Sequence, residues 1–178
     1  MYKCKPERNA KQALLLLSGS VFLTVGTFAL GIIFSQYRGI INLIALLIFV
    51  LAIYVVIRFT MTEMEYTVAD GSFTITKIVG NKRTDQGSLD LSTTIALVTK
   101  EEYLAGGYNK GQRVFCNYSQ NLGGKHWYYV CEFAGKRAVV EFEPNEPFVA
   151  ILQAEIEKAK ENPSAPPADD DGMGGILI

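Results

Sequence analysis

Two uncharged apolar runs near the start of the chain limit its fold more than any other feature. Residues 13–34, ALLLLSGSVFLTVGTFALGIIF, carry no charge, and residues 39–57, GIINLIALLIFVLAIYVVI, carry one clearly polar side chain, Asn42. About 20 apolar residues, each rising 1.5 Å, cross the roughly 30 Å hydrocarbon core of a bilayer. Only SQYR separates the runs, enough for a tight turn outside the lipid. The sequence therefore predicts a transmembrane helical hairpin over 13–58, preceded by a basic segment over 1–12. A signal peptide also starts with basic residues, but this first run is longer than a signal core and a second follows at once. Lys3, Lys5, Arg8 and Lys11 precede the first run and Arg58 closes the second, while Arg38 stands alone on the turn. That bias predicts both termini on the cytoplasmic side of a cell membrane crossed twice.

The first run carries small residues at Ser20, Thr24, Thr27 and Gly31, spaced four, three and four apart. Such spacing places them on one helix face, where small side chains allow a second helix to approach closely. Two partners fit this stripe: the second run of the same chain, or another membrane protein. Asn42 is an amide near one end of its run and does not by itself mark an ion or proton path.

From about residue 63 the pattern changes to short strands, giving a soluble domain over 59–161. EMEYTVAD runs into GSFTITKIV through Asp70–Gly71, a strong hairpin signal. GNKR leads to TDQGSLDL, TTIALVTKEEYL reads as a fourth strand, and AGGYNKG reads as a loop. QRVFCNYSQ, KHWYYVCEF and KRAVVEFE complete seven strands of an antiparallel sandwich or small barrel. Asn145 then caps a helix, Glu146 and Pro147 suit its first turn, and Phe148, Ile151, Leu152, Ile156 and Ala159 form its apolar face. ENPSAPPADDDGMGG is too polar and too rich in proline and glycine to build a core, so 162–178 reads as a disordered acidic tail. Its end, ILI, reads either as a solvated remnant or as a short docking peptide.

CNYSQNLGGKHWYYVC holds two of the three cysteines and the only histidine and tryptophan. A turn at Gly123–Gly124 places Cys116 opposite Cys131, with Val114, Tyr118, Trp127, Tyr129 and Phe133 on the same apolar face. A next turn at Gly135–Lys136 continues that face with Ala138, Val140 and Phe142, and turns Val139, Glu141 and Glu143 outward. The opposite face takes Asn117, Ser119, His126 and Glu132. The thiols read as free core residues, since a reducing compartment opposes a disulfide and buried cysteine packs as a small hydrophobe. His126 points away from both thiols and reads as a solvated turn residue. Four zinc ligands do not come together, and no base stands beside a nucleophile. No cofactor and no enzymatic activity are expected.

The order of these elements, a hairpin of apolar runs, then EYTVADGSFTITK, two later hairpins and EPNEPFVAILQAEIEKAK, resembles the pleckstrin-homology (PH) architecture. More narrowly, residues 1–161 resemble small bacterial membrane proteins in which a transmembrane hairpin is followed directly by a PH-like domain. The resemblance implies an α+β membrane protein whose seven-stranded barrel or sandwich is capped by a C-terminal helix. Lipid-reading relatives in eukaryotes hold a phosphorylated headgroup with basic residues around the first hairpin loop. The corresponding ADGS here is short and acidic, so specific phosphoinositide binding is not expected. Lys82 and Arg83, on the next loop, are the nearest basic pair to anionic lipid, or an ordinary solvated turn.

The net charge is −1 and acids outnumber bases after residue 59. No basic stripe offers duplex affinity, so nucleic acid is not an expected partner. The expected function is a non-catalytic, membrane-anchored interaction or scaffold domain with a protein partner. Tyr103, Tyr108, Asn109 and Lys110, around the glycine-rich loop, are the candidate contact residues, and an exposed edge strand is a second candidate. The alternative is an accessory subunit of a membrane transporter or secretion complex, acting through the hairpin.

Overall fold

A computed structural model describes residues 1–161, so the expected tail over 162–178 lies outside the described residues. The chain divides into two units. One is the helical segment Arg8–Thr62; the other joins Met1–Glu7 to the chain from Glu63 onward.

In the helical unit, α1 (Ala10–Ile33) and α2 (Arg38–Val56) are joined by a 3-10 turn at Ser35–Tyr37. Asn9 starts α1, its Oδ1 accepting the Gln12 N–H at 3.1 Å. α2 runs on through a π-helical turn, Ile57–Met61. Both helices are long and apolar enough to cross a membrane. Of the small stripe, Gly31 is buried and Ser20, Thr24 and Thr27 are half-buried. A Cβ at Gly31 would lie 2.8 Å from Asn42 Oδ1, so any larger residue there would displace the Asn42 side chain. The hydroxyls of Ser20, Thr24 and Thr27 donate to the carbonyls of Leu17, Ser20 and Leu23 at 2.8 Å each. They are satisfied within α1 and act as small packing groups, not as donors between helices.

The second unit begins before the helices. Tyr2–Cys4 forms β1, which pairs antiparallel with β2 (Thr62–Ala69), matching Cys4 with Tyr66 and Tyr2 with Val68. This corrects the reading of 1–12 as a separate basic segment: its first residues are a sheet edge, and Cys4 is buried. Asp70–Gly71 joins β2 to β3 (Ser72–Val79) with φ of 50° and 72°, the primed turn that Asp-Gly favours. β4 (Lys82–Asp90) follows a turn at Gly80–Asn81 and completes the order β1-β2-β3-β4. Lys82 and Arg83 therefore open a strand and are not on a loop. Because β1 precedes the helices, the first strand-to-strand connection is the apolar hairpin itself. ADGS is the second, joining β2 to β3.

The other sheet has the order β5-β7-β8-β6, from β5 (Thr94–Thr99), β6 (Arg113–Asn117), β7 (Trp127–Phe133) and β8 (Lys136–Phe142). Residues 59–161 thus contain the seven expected strands, with β1 an eighth. β6 lies parallel to β8, matching Cys116 with Val140. The expected Cys116–Cys131 pairing across Gly123–Gly124 is not formed, because β8 stands between β6 and β7. The β7–β8 turn is Ala134–Gly135, with φ of 49° and 71°, so Cys131 matches Ala138 and not Val140. That shift of two residues keeps every side chain on its expected face. A short helix, α3 (Lys100–Ala105), replaces the second half of the expected fourth strand. Thr99 and Glu102 form a reciprocal capping box there, which draws the chain out of the sheet.

Between the sheets, Phe73 lies 5.2 Å from the ring centres of Tyr129 and Phe142, and Tyr66 meets Phe142 edge-on at 5.3 Å. α4 (Glu146–Glu161) closes this core with Phe148, Leu152, Ile156 and Ala159. Its first turn is held by Asn145 Oδ1, which accepts the Phe148 N–H at 3.0 Å. Val139, expected to face outward, is fully buried with Tyr103, Tyr128 and Val130 in a smaller cluster under α3. The three cysteines are free thiols. Burial raises the Cys131 thiol to about 11, and burial also raises Cys4, offset in part by a hydrogen bond at the Asn145 backbone.

Cys4 and Cys131 are therefore expected to resist alkylation in the folded protein at neutral pH and to react fully once it is denatured, as read by peptide mass spectrometry. Rapid labelling of Cys4 in the native protein would show that β1 is not seated. Gly31→Leu is expected to part the two helices, reducing the yield of a disulfide engineered between neighbouring α1 and α2 positions.

Candidate functional site

A polar cleft of about 610 Å³ opens at one end of the second sheet, where β5 passes into α3, β6 ends and β7 begins. Its floor is the outer face of β8. Glu141 lies there with its side chain 13% exposed, beside His126, whose side chain is 11% exposed. Imidazole Nδ1 stands 2.9 Å from Glu141 Oε1, and Asn117 Nδ2 donates to Glu141 Oε2 at 3.0 Å. One carboxylate thus orders side chains from β6 and from the start of β7. The same carboxylate acts on Tyr128, whose hydroxyl is pushed up to about 12, first by burial and then by Glu141.

The connection from β6 to β7 forms one wall of the cleft and is pinned along its length. Asn117 Oδ1 accepts from the Ser119 N–H at 3.0 Å and from its hydroxyl at 2.6 Å. Gln120 is 1% exposed, and its Oε1 accepts the Met64 N–H at 2.8 Å. Asn121 Nδ2 donates to Glu143 and to the Glu7 carbonyl, the latter at 2.9 Å. Tyr66 donates to the Tyr118 carbonyl at 2.8 Å and accepts the Glu143 N–H at 3.2 Å. Beyond the Tyr118 N–H, which donates to the Glu141 carbonyl at 2.8 Å, the wall is held by side chains and not by a ladder. Trp127, Leu122 and Lys125 line the cleft on this side, and Thr99, Lys100 and Glu101 line it on the other. Thr99 is committed to its cap, receiving the Glu102 N–H while Glu102 accepts the Thr99 N–H at 2.8 Å. Those bonds hold the Glu102 carboxyl below its ordinary range, the backbone one foremost.

His126 is the residue that the sequence reading placed wrongly, as a solvated turn residue. The signal that finds it was present, since strand parity already put Asn117, Ser119, His126, Tyr128 and Glu141 on one face. The expected contact group fares differently. Tyr103 is 5% exposed and belongs to α3, stacked on Tyr128 at 4.4 Å, so its ring is a packing element. Tyr108 extends the stack at 6.4 Å from Tyr103 and is half-buried. Asn109 accepts from Arg113 through its carbonyl, and Lys110 is exposed on the turn closed by its N–H to Gly107. Arg83 is engaged by Glu65 at 2.7 Å, and Lys82 is exposed. Neither group lines the cleft. Among the described residues, no three His, Cys, Asp or Glu side chains are grouped to hold a metal ion.

A second cleft, apolar and of about 290 Å³, opens between the free edges of the two sheets, β4 and β6. Val114 and Cys116 from β6, Gly87 and Leu89 from β4, and Phe133 form much of its lining. Burial, followed by the neighbouring Cys116, pushes the Tyr118 hydroxyl there up to about 12.

Replacing Glu141 by Gln is expected to bring Tyr128 ionisation part of the way back from about 12 towards the ordinary 10, leaving the shift due to burial, as read by ultraviolet difference titration. Because the folded pKa lies above the unfolded one, Tyr128 lowers stability as pH rises from 10 to about 12, where the unfolded chain releases the proton first. Tyr128→Phe is expected to flatten that alkaline loss. Glu141→Ala, which removes the acceptor of exposed Asn117 and the carboxylate beside half-buried His126, is expected to cost about 1 kcal/mol in denaturant melts.

No curated protein and no solved structure matches the chain. A family model described as bacterial PH-like domain (DUF6106) matches residues 4–159, a span that runs from the last residue of β1 through both apolar helices to the last turn of α4. The chain therefore belongs to the bacterial PH-like domain family DUF6106, with the helical hairpin and the sheet domain inside one family unit.

Proposed function

We propose that this protein is a membrane-anchored, non-catalytic binding module of the cytoplasmic face, in which the two apolar helices span the bilayer and the polar cleft takes a segment of a partner protein. The observation that carries this reading is the insertion of the hairpin between two paired strands, β1 and β2. An apolar excursion that leaves a sheet and returns to its neighbouring strand serves as an anchor attached at two points. It also requires both ends of the hairpin to lie on one side of the membrane. Arg8, Lys11 and Arg58 flank those ends and Arg38 lies on the turn, which favours the cytoplasmic side for the domain. Lys3 and Lys5 are engaged by Glu65 and Glu63, but acidic neighbours contribute little to that rule.

The cleft suits recognition better than chemistry. Its hydroxyls on Thr99 and Ser119 are held in local hydrogen bonds, and Glu141 is spent on orienting His126 and Asn117. What it offers a partner is Trp127, several fixed amide and carboxylate groups, and lysines of the rim. Holding the domain at the membrane raises its effective concentration for other membrane-bound proteins. A second reading, the accessory subunit, draws on a groove of about 340 Å³ between α1 and α2, bordered by Ser20, Thr24, Phe49 and Val56, which has room for side chains of a third helix.

A photo-crosslinking residue at Leu122, on the cleft rim, is expected to capture a protein partner in native membranes, while the same residue at Asn81, on the β3–β4 turn, is not. Equal capture from both positions would refute the cleft as the binding surface. Capture that disappears only when the hairpin is exchanged for an unrelated one would favour the subunit reading. For the orientation, a cysteine at Gln36 is expected to react with an impermeant reagent on intact cells, and one at Asn81 only after lysis.

A further inference from the structure

The sheets have four outer strands, β1 and β4 in one, β5 and β6 in the other. An outer strand is a template for another chain, and proteins ordinarily shorten it, bulge it or charge it. β1 has three residues, and Gln86 and Ile95 bulge out of the ladders of β4 and β5. β6 has neither guard, since its five residues run in unbroken register with β8. The Tyr118 N–H bonds the Glu141 carbonyl on β8 at 2.8 Å. Successive residues turn their backbone groups to opposite sides of a strand, so Val114 and Cys116 direct theirs to β8 and Phe115 directs its N–H and C=O to the open edge. The Phe115 side chain, matched with Val139 on the outer face, is 46% exposed, and Val114 on the inner face is 38% exposed. Both faces of this edge therefore show apolar groups to water, as binding surfaces do.

Charge indicates what covers it. The outer face of β6 and β8 is basic at one end, where Arg113 matches Arg137, and acidic at the other, where Asn117 matches Glu141. Arg137 is matched on its other side with Glu132 of β7. Arg113 donates to the Asn109 carbonyl and, among the described residues, meets no carboxylate. We propose that β6 pairs antiparallel with β6 of a second copy, about a two-fold axis at Phe115. Phe115 then meets Phe115 of the other copy, an aromatic cross-strand pair, while Val114 lies opposite Cys116 and Arg113 opposite Asn117. Each Arg113 is thereby brought to the acidic end of the other sheet. Glu141 lies one strand further in, about 10 Å away between backbones, within the joint reach of the two side chains. A parallel pairing would instead set Arg113 against Arg113. The same contact on both copies closes on itself and makes a dimer, not a filament. Val114 and Cys116 of the two copies meet at the mouth of the apolar cleft. Five residues a side form a smaller contact than stable soluble dimers have. The pairing is therefore expected where chains are concentrated in one bilayer, and in that respect it rests on the anchoring reading.

Cys116 supplies the probe, since Cys4 and Cys131 are buried. In the proposed register Val114 and Cys116 of opposite copies are a non-hydrogen-bonded pair, with Cα atoms about 4.5 Å apart, within disulfide range. In full-length protein in proteoliposomes, Val114→Cys with a mild oxidant should convert more than half of the chains to a disulfide dimer, linked from position 114 to Cys116 as read by peptide mass spectrometry. Adding Cys116→Ser should cut the yield at least fivefold, because the two positions 114 do not face each other. Arg113→Glu in the Val114→Cys protein should also cut it at least fivefold, while Cys4 and Cys131 stay slow to alkylate and so report an intact fold. Absence of the dimer from Val114→Cys protein with that fold intact would overturn the proposal. An undiminished dimer after Cys116→Ser or Arg113→Glu would overturn it too, in favour of another register or random collision. So would a link to a different protein in native membranes in place of the dimer, in favour of a foreign strand. Flotation of the liposomes tests the anchor separately. Protein that fails to float refutes the anchor and not the pairing, which is then read by the same crosslink in concentrated solution.

Discussion

The pairing of β1 with β2 is the constraint on which the rest of the molecule depends. Three residues at the start of the chain match three in β2, and the whole apolar hairpin lies between them in sequence. Closing a long loop costs entropy, though slowly, about 0.6 kcal/mol for each doubling of its length. Two helices folded back on each other bring their own ends together, so the hairpin bears most of that cost before β1 is placed. What then holds so short a strand is a set of modest contacts. Cys4 fills a core position, Lys3 and Lys5 meet Glu65 and Glu63, and the Glu7 carbonyl accepts from Asn121. The exposed ion pairs contribute at most about 1 kcal/mol each. The buried thiol and the ladder contribute the specificity.

The parts of this architecture that were legible in the sequence are those fixed by local chemistry. Length and apolarity specified the two helices, Asp70–Gly71 specified its turn, and Asn145 with the three-and-four spacing after it specified α4. Parity along β7 and β8 assigned Tyr129, Cys131, Val140 and Phe142 correctly to the core, even though the turn was misplaced. A displacement of two residues leaves parity untouched. Parity carries no information about strand order. Two glycines at 123 and 124 suggest a hairpin, and nothing local to them records that β8 will stand between β6 and β7. Three residues of β1 are too few to show any period, and the apolar run after them masks the strand. α3 was hidden because Thr99 and Glu102 look like strand residues until they are read as a cap.

The misreading of β6 and the missed site have one cause. β8 separates β6 from β7, and a two-residue turn cannot span the roughly 10 Å between strands that are not neighbours. The chain from β6 must cross to the far side of β8 before it becomes β7, and it does so through residues that need buried polar partners. Gln120 and Asn121 find them in Met64, Glu7 and Glu143, and Tyr66 ties the same segment down from the other sheet. The crossing leaves Asn117 and His126 on opposite sides of Glu141, and this produces the polar cleft. It also leaves β6 as an outer strand, which produces the apolar one. Both surfaces follow from a single topological choice, and a simple β6–β7 hairpin would have neither.

That choice interacts with the hairpin's place in the sheet. With two helices folded back on each other, the chain returns to the sheet at β2 and the sheet acquires β1 as its edge strand. Were β1 not returned beside β2, the site of Cys4 beside the Asn145 backbone would stand empty, and Glu7 would be lost as a partner for Asn121. Asn121 belongs to the wall of the polar cleft, so loss of β1 would loosen the same segment that positions His126 and Trp127. The domain completes its cleft wall only after the chain has left the sheet and returned. The edge strand and the cleft wall are thereby joined through one amide group, Asn121 Nδ2, which holds Glu7, the residue just before the helical unit, and the Glu143 carboxylate at once.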